Sequence, residues 1–270
     1  MKKSRLFILL IFGLLGCEEV IDIKLPEASP KLVIDASINW LKNTDGKDQY
    51  IKLSLTTPYF YEDKVAATGA EVYITHNNNI YLFKEDKNSG IYITNNFKPE
   101  LMETYELTVK YEGATYKGTE QLFPIPPITR IQQSQEGGIY GEDYEIKAYY
   151  EDPKDEENYY LFRFENDIPT LSSLEVYRDE FINGNEIFAY YSNDKLIAGS
   201  NITITSYGIS KQFYEYMYIL LQQNSIGGGG PFETQPATVR GNCVNITNPD
   251  DFPLGYFRLS EMDKLTYTLK

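Results

Sequence analysis

The stretch Tyr105-Glu106-Leu107-Thr108-Val109-Lys110-Tyr111-Glu112-Gly113-Ala114-Thr115-Tyr116-Lys117-Gly118-Thr119 decides the fold class. Tyr105, Leu107, Val109 and Tyr111 fall at every second position. Successive side chains of an extended chain point to opposite faces, so these four share one face of a strand. Glu112-Gly113 supplies the turn, with a glycine that accepts the positive φ of a tight hairpin, and residues 115–119 return as the second strand.

The same signal extends upstream. Leu32, Ile34, Ala36 and Ile38 alternate with other residues, and Ile51, Leu53 and Leu55 alternate with Lys52, Ser54 and Thr56. Val72 and Ile74 make a further short strand, and Asn77 to Asn79 turn the chain into Ile80 to Phe83. Residues 31–123 are therefore expected to form an immunoglobulin-like or transthyretin-like β-sandwich. Downstream, Phe123-Pro124-Ile125-Pro126-Pro127 breaks the pattern. Proline stiffens a segment and cannot donate to a sheet ladder, so residues 124–127 read as a linker between domains.

Residues 128–270 are expected to form a second β-rich domain, with strands over residues 144–150, 158–165 and 201–207. One short amphipathic helix is expected near residues 210–224. There Phe213, Met217, Leu220 and Leu221 recur at helical spacing behind Ser210, which can cap. Gly227 to Gly230 read as a flexible connector, and residues 255–259 and 264–269 as terminal strands. The fold class is mainly β.

The N-terminus carries a different kind of information. Lys2, Lys3 and Arg5 precede an apolar run from Leu6 to Leu15, and Leu14-Leu15-Gly16-Cys17 is followed by Glu18-Glu19. A basic start, a short apolar stretch and a small residue before the cut describe a secretory signal peptide. The apolar run is too short for a transmembrane helix, which needs roughly 20 residues. Residues 1–16 are expected to be removed and Cys17 to be lipidated, with residues 17–30 as an extended tether that includes Pro26 and Pro30. Leu14 to Cys17 resembles the bacterial lipobox, which implies a diacylglyceryl thioether on Cys17; two or more acyl chains give stable anchoring.

Composition narrows the function. The formal net charge is −14, and loss of the basic leader makes the remainder more acidic still. Such a chain repels phosphate backbones, which argues against nucleic-acid binding and against a polybasic membrane patch. Only two cysteines exist, so lipidation of Cys17 leaves Cys243 without a disulfide partner. His76 is the only histidine and sits at a turn-like His76-Asn77-Asn78-Asn79, which suits a loop better than a catalytic cradle. Scarcity of His and Cys excludes most zinc sites, and no cofactor is expected. The acidic run Asp152 to Glu157 lacks the glycine-punctuated pattern of a calcium loop and reads as a solvated turn. No nucleophile elbow, zinc helix or P-loop is present, so the chain is not expected to be an enzyme.

Aromatic residues are the remaining lead. Trp40 ends an expected strand, and Tyr59, Phe60 and Tyr61 lie between strands. Exposed rings on loops can stack on sugars or anchor a peptide, so these four are the candidate ligand or partner contacts.

Several segments together resemble an uncharacterised lipoprotein family of Bacteroidota: the lipobox with its acidic tether, Lys31-Leu32-Val33-Ile34-Asp35-Ala36, Thr68-Gly69-Ala70-Glu71-Val72, Ser89-Gly90-Ile91-Tyr92, the run from Asp152 to Tyr160, and Leu254-Gly255-Tyr256-Phe257. Glu18-Glu19 is similar to the surface-export signals of such lipoproteins. The resemblance is to a domain of unknown function often encoded beside TonB-dependent outer-membrane receptors. It implies a lipid-anchored protein of the outer membrane, facing the cell exterior, with such a receptor as partner. The expected function is a non-enzymatic binding or accessory module; a structural or adhesive surface protein binding a glycan or another cell is the alternative, with a hydrolase behind both.

Overall fold

The structure is a computed structural model that describes residues 29–58, 61, 63–138, 140–154, 156–167, 172–179, 184–225 and 238–270. The described chain is mainly β. In order it runs β1 (Leu32–Leu41), β2 (Gln49–Leu55), β3 (Val65–Ala66), β4 (Glu71–His76), β5 (Asn79–Glu85), β6 (Ile91–Thr94), β7 (Thr104–Tyr111) and β8 (Ala114–Phe123). The second half continues with β9 (Ile128–Gly137), β10 (Asp143–Glu151), β11 (Tyr159–Asn166), β12 (Ser173–Arg178), β13 (Glu186–Asn193), β14 (Asn201–Ile209), helix α1 (Lys211–Ser225), β15 (Cys243–Asn245) and β16 (Leu254–Thr268).

The hairpin expected over residues 105–119 is β7–β8, paired from Thr104↔Gln121 to Tyr111↔Ala114. Its turn residues Glu112 and Gly113 have φ of 46° and 82°. Two successive positive values make the turn whose twist matches that of the flanking strands. Around this hairpin the strands pair differently from the two facing sheets expected of residues 31–123. Their order is β16-β1-β2-β6-β5-β4-β7-β8, and β8 meets β16 again through Leu259↔Leu122 and Ser260↔Phe123. The sheet closes into a small barrel. Inward alternation is the same in a barrel and a sandwich, which is why the pattern alone did not separate them. Ile34, Ile38, Leu53, Ile74, Tyr92 and Leu107 fill the interior, each fully buried.

The closing stave comes from the far end of the chain. Val33 to Leu41 of β1 pair in parallel with Leu254 to Met262 of β16. From Met262 onward β16 turns to β14, pairing antiparallel from Tyr207↔Met262 to Asn201↔Thr268. The two expected terminal strands are thus one long strand shared by two cores. In the second half, β12, β11, β14 and the end of β16 form one layer, and β13, β10 and β9 the other. Tyr150, Phe162, Phe164, Ala189, Ile202 and Ile204 pack between them.

Helix α1 lies where the 3.6-residue period placed it. The Ser210 hydroxyl accepts from the Phe213 amide at 3.1 Å, the N-cap contact expected of a serine at that position. Phe213 is buried against Tyr159, Tyr207 and Tyr256 on the outer face of the sheet. Residues 124–127 connect β8 to β9. Three of the four are prolines, so the flanking amides carry the polar contacts: Ile125 N–H donates to Glu261 at 3.0 Å and Ile128 N–H to Asp263 at 3.2 Å. Both acceptors sit on β16, which ties the linker to the shared strand.

Candidate functional site

The outer face of the barrel departs from a simple polar exterior. Along β5 the run Ile80-Tyr81-Leu82-Phe83 is apolar at every position. Tyr81 and Phe83 enter the core, leaving Ile80 and Leu82 in solvent at 63% and 54% exposure. Along β2 Gln49 and Ile51 turn inward and Tyr50 outward, and along β6 Tyr92 turns inward and Ile93 outward. Tyr50 pairs with Ile93, and Ile93 pairs on its other side with Lys84. Cross-strand register therefore assembles a lateral row from residues distant in sequence.

One step further, where the β2–β6 ladder ends at Gln49↔Thr94, the surface sinks into an open groove of about 710 Å³. Tyr50, Leu82 and Ile93 are its apolar lining, and Asp48, Lys84, Asn95 and Asn96 its polar rim. The size falls within the roughly 300–1,000 Å³ of small-ligand sites.

The groove walls are anchored. The Gln49 side chain fills the gap where β1 and β2 splay: its Oε1 accepts from Asn39 N–H at 3.0 Å, and its Nε2 donates to the carbonyls of Asn39 and Gly46 at 2.8 and 2.9 Å. Behind the rim, Phe97 is buried against Tyr81 and Tyr105, and its amide donates to the Lys47 carbonyl at 3.1 Å. Asn95 and Asn96 are thereby held on a short, pinned segment. Thr94 Oγ1 donates to Asn96 Oδ1 at 2.7 Å.

The residues singled out from sequence lie elsewhere. Trp40 is half-buried against the barrel core, and its indole N–H donates to the Thr44 carbonyl at 2.9 Å. Tyr61 is 58% exposed. Neither lines the groove. Cys17, Tyr59 and Phe60 fall outside the described residues. Tyr50, Leu82 and Ile93 were missed, although the unbroken apolar run of β5 was a visible sign that one apolar face would be left over.

Other polar clusters serve the fold. His76, expected in a loop, is the last residue of β4 and is buried; its ring stacks on Tyr105 at 4.4 Å and its Nδ1 lies 3.0 Å from the Thr104 carbonyl. Asp152, expected in a solvated turn, is buried. Its carboxylate accepts from Tyr160 at 2.5 Å and from the Gly184 amide at 3.2 Å. Asp179 nearby accepts from the Asn158 amide at 3.1 Å, so each aspartate clasps another loop. Burial, with Asp152 close by, holds the Asp179 carboxyl above its ordinary range. Arg258 lies buried beneath α1, donating to Asn39 at 2.8 Å and to Ser260, with Tyr207 and Phe213 beside the guanidinium. Cys243 is buried and free, and burial pushes its thiol up to about 12, which makes a thiolate nucleophile unfavourable. Among the described residues no three His, Cys, Asp or Glu side chains converge as a metal site.

Comparison with known proteins places the chain by sequence more firmly than by shape. A cytokine receptor complex is similar at 8% identity with a TM-score of 0.25, over 66% of this chain and 83% of that one. A two-domain fibronectin type III segment from chicken tenascin is similar at 12% identity with a TM-score of 0.20, over 66% and 90%. No curated protein matches the chain. A family model matches residues 18–266, nearly the whole sequence, and the chain therefore belongs to the family described as domain of unknown function DUF4249.

Proposed function

We propose that this protein is a surface-displayed outer-membrane lipoprotein, held by lipid on Cys17, whose barrel presents a ligand-binding groove as a non-enzymatic accessory of a TonB-dependent transporter. The observation that carries the binding role is the groove itself: an apolar floor of Tyr50, Leu82 and Ile93 with polar groups at its margin. That layout suits capture of a ligand, with apolar area supplying affinity and a few polar groups fixing orientation. The lipobox sequence ending at Cys17 supports the anchor, and the sequence resemblance to lipoproteins encoded beside such transporters supports the partner.

The test is copurification from gently solubilised membranes of cells that also express the neighbouring receptor. The receptor is expected to accompany the protein, and Cys17→Ser to move the protein into the soluble fraction. Recovery of the protein alone would remove the transporter from the proposal, and continued membrane attachment of Cys17→Ser would remove the lipid anchor.

A further inference from the structure

We infer that the groove on the outer face of β2, β6 and β5 is a binding site for a neutral oligosaccharide. This rests on the reading of that groove as a ligand site and names the class of ligand.

The first consideration is what the backbone forbids. Ile93 is paired on both sides, to Tyr50 and to Lys84, so the centre of the groove floor presents side chains rather than free backbone. Tyr50 pairs on one side with Ile93, and Leu82 on one side with Tyr73. An extended peptide gains its main-chain bonds by adding to an open sheet edge, and Ile93 at the centre of the floor offers none. At Ile93 recognition passes through side chains.

The second is the chemistry of those side chains. Tyr50 is 56% exposed and sits beside Ile93 and Leu82, giving a ring and two aliphatic surfaces to which the C–H face of a pyranose is complementary. Around them stand groups suited to hydroxyls. Among the described residues the Asp48 carboxylate, the Asn95 amide, the Lys84 ammonium and the Tyr50 hydroxyl make no hydrogen bond with the protein. A carboxylate accepts only, an ammonium donates only, and an amide does both; a sugar hydroxyl answers all three.

The third is charge. Asp48 and Lys84 bring opposite signs to the groove, so its local charge balances and selects for neither an anion nor a cation. The whole chain carries −14, which repels polyanions at long range. A ligand without formal charge escapes that repulsion. Pinning of the rim by Phe97 and Gln49 lowers the ordering cost of binding.

The experiment is calorimetric titration of the full, detergent-solubilised protein with cellohexaose, maltohexaose, mannohexaose and xylohexaose, and with polygalacturonate as the anionic comparison. Saturable binding of at least one neutral hexasaccharide is expected. Tyr50→Ala should weaken it at least roughly tenfold, about 1.4 kcal/mol, whereas Tyr50→Phe keeps the ring and retains binding. Asn95→Ala should weaken it, and Tyr61→Ala should leave it unchanged. Circular dichroism of each variant checks that the barrel is intact. Failure of every neutral sugar to bind overturns the inference, as does preference for polygalacturonate or binding indifferent to Tyr50→Ala. Receptor copurification that persists while no sugar binds would overturn the ligand class alone and leave the accessory role standing.

Discussion

Two residues at the mouth of the barrel seam show how local chemistry sets stability. Ser210 caps α1 and also donates to Glu120 Oε2 at 2.9 Å. Ser210→Ala removes the cap and leaves a buried carboxylate oxygen without that donor. A loss of about 0.5–2 kcal/mol from the cap is expected in chemical denaturation. Glu120 itself is 7% exposed, and burial holds its carboxyl above the ordinary value of 4.5. A carboxyl raised in the folded state binds more protons folded than unfolded through that window. Stability then falls as pH rises from about 4.5 to the raised value. Glu120→Gln keeps an acceptor for Ser210 without the buried charge. It should raise stability at pH 7 and flatten the pH dependence in that window; an unchanged or lower stability at pH 7 would contradict this. None of this was legible in sequence, because Glu120 and Ser210 are neighbours only through the seam between β8 and β16.

Single elements were the most legible part of the molecule. The β7–β8 hairpin announced itself by alternation plus a Glu-Gly turn, and α1 by a serine followed by apolar residues at helical spacing. Both are local patterns: β7 and α1 are found within a residue of their expected bounds, while β8 runs on to Phe123, four residues past the expected end. Partnership between elements was hidden. The groove is made of Tyr50, Leu82 and Ile93, which no window of sequence contains together; the pleat turns each outward and the register brings them side by side. Trp40 read as a ligand contact because it ends an expected strand, yet its N–H donates to the Thr44 carbonyl. Close approach between elements is equally silent in sequence. A Cβ on Gly208 of β14 would lie 1.9 Å from the Pro124 carbonyl oxygen, against backbone that cannot rotate away. Gly208→Ala should push the proline segment off the sheet and cost about 1–3 kcal/mol, read as a lowered thermal midpoint with near-normal circular dichroism.

At the scale of the whole molecule, β16 decides how the parts cooperate. Its first nine paired positions lie against β1 and its last seven against β14, with Met262 in both ladders. Glu261 and Asp263 hold the proline linker from the same strand. A fragment ending at residue 127 keeps every hydrophobic residue that suggested an N-terminal domain but loses the strand between β1 and β8. It is expected to show neither strand-rich circular dichroism nor dispersed amide resonances, while the chain from residue 29 to residue 270 unfolds in a single calorimetric transition. A folded, monomeric fragment would refute this view of the shared strand. Alternation along residues 32–38 says that a face is buried; it does not say that the neighbour is supplied by residues 254–262.

That late stave also fixes when the protein can become itself. Val33 finds its parallel partner in Leu254, so the ring stays open until the chain has been made through β16. Pairing across such a separation is slow, because loop-closure entropy is lost before any contact compensates for it. For a chain exported as proposed, the delay is useful. A translocon passes only unfolded polypeptide, and a nascent barrel that lacks its final strand cannot lock prematurely on the wrong side of the membrane. Under that proposal topology acts as a timer, keeping the chain threadable until β16 has followed the rest across.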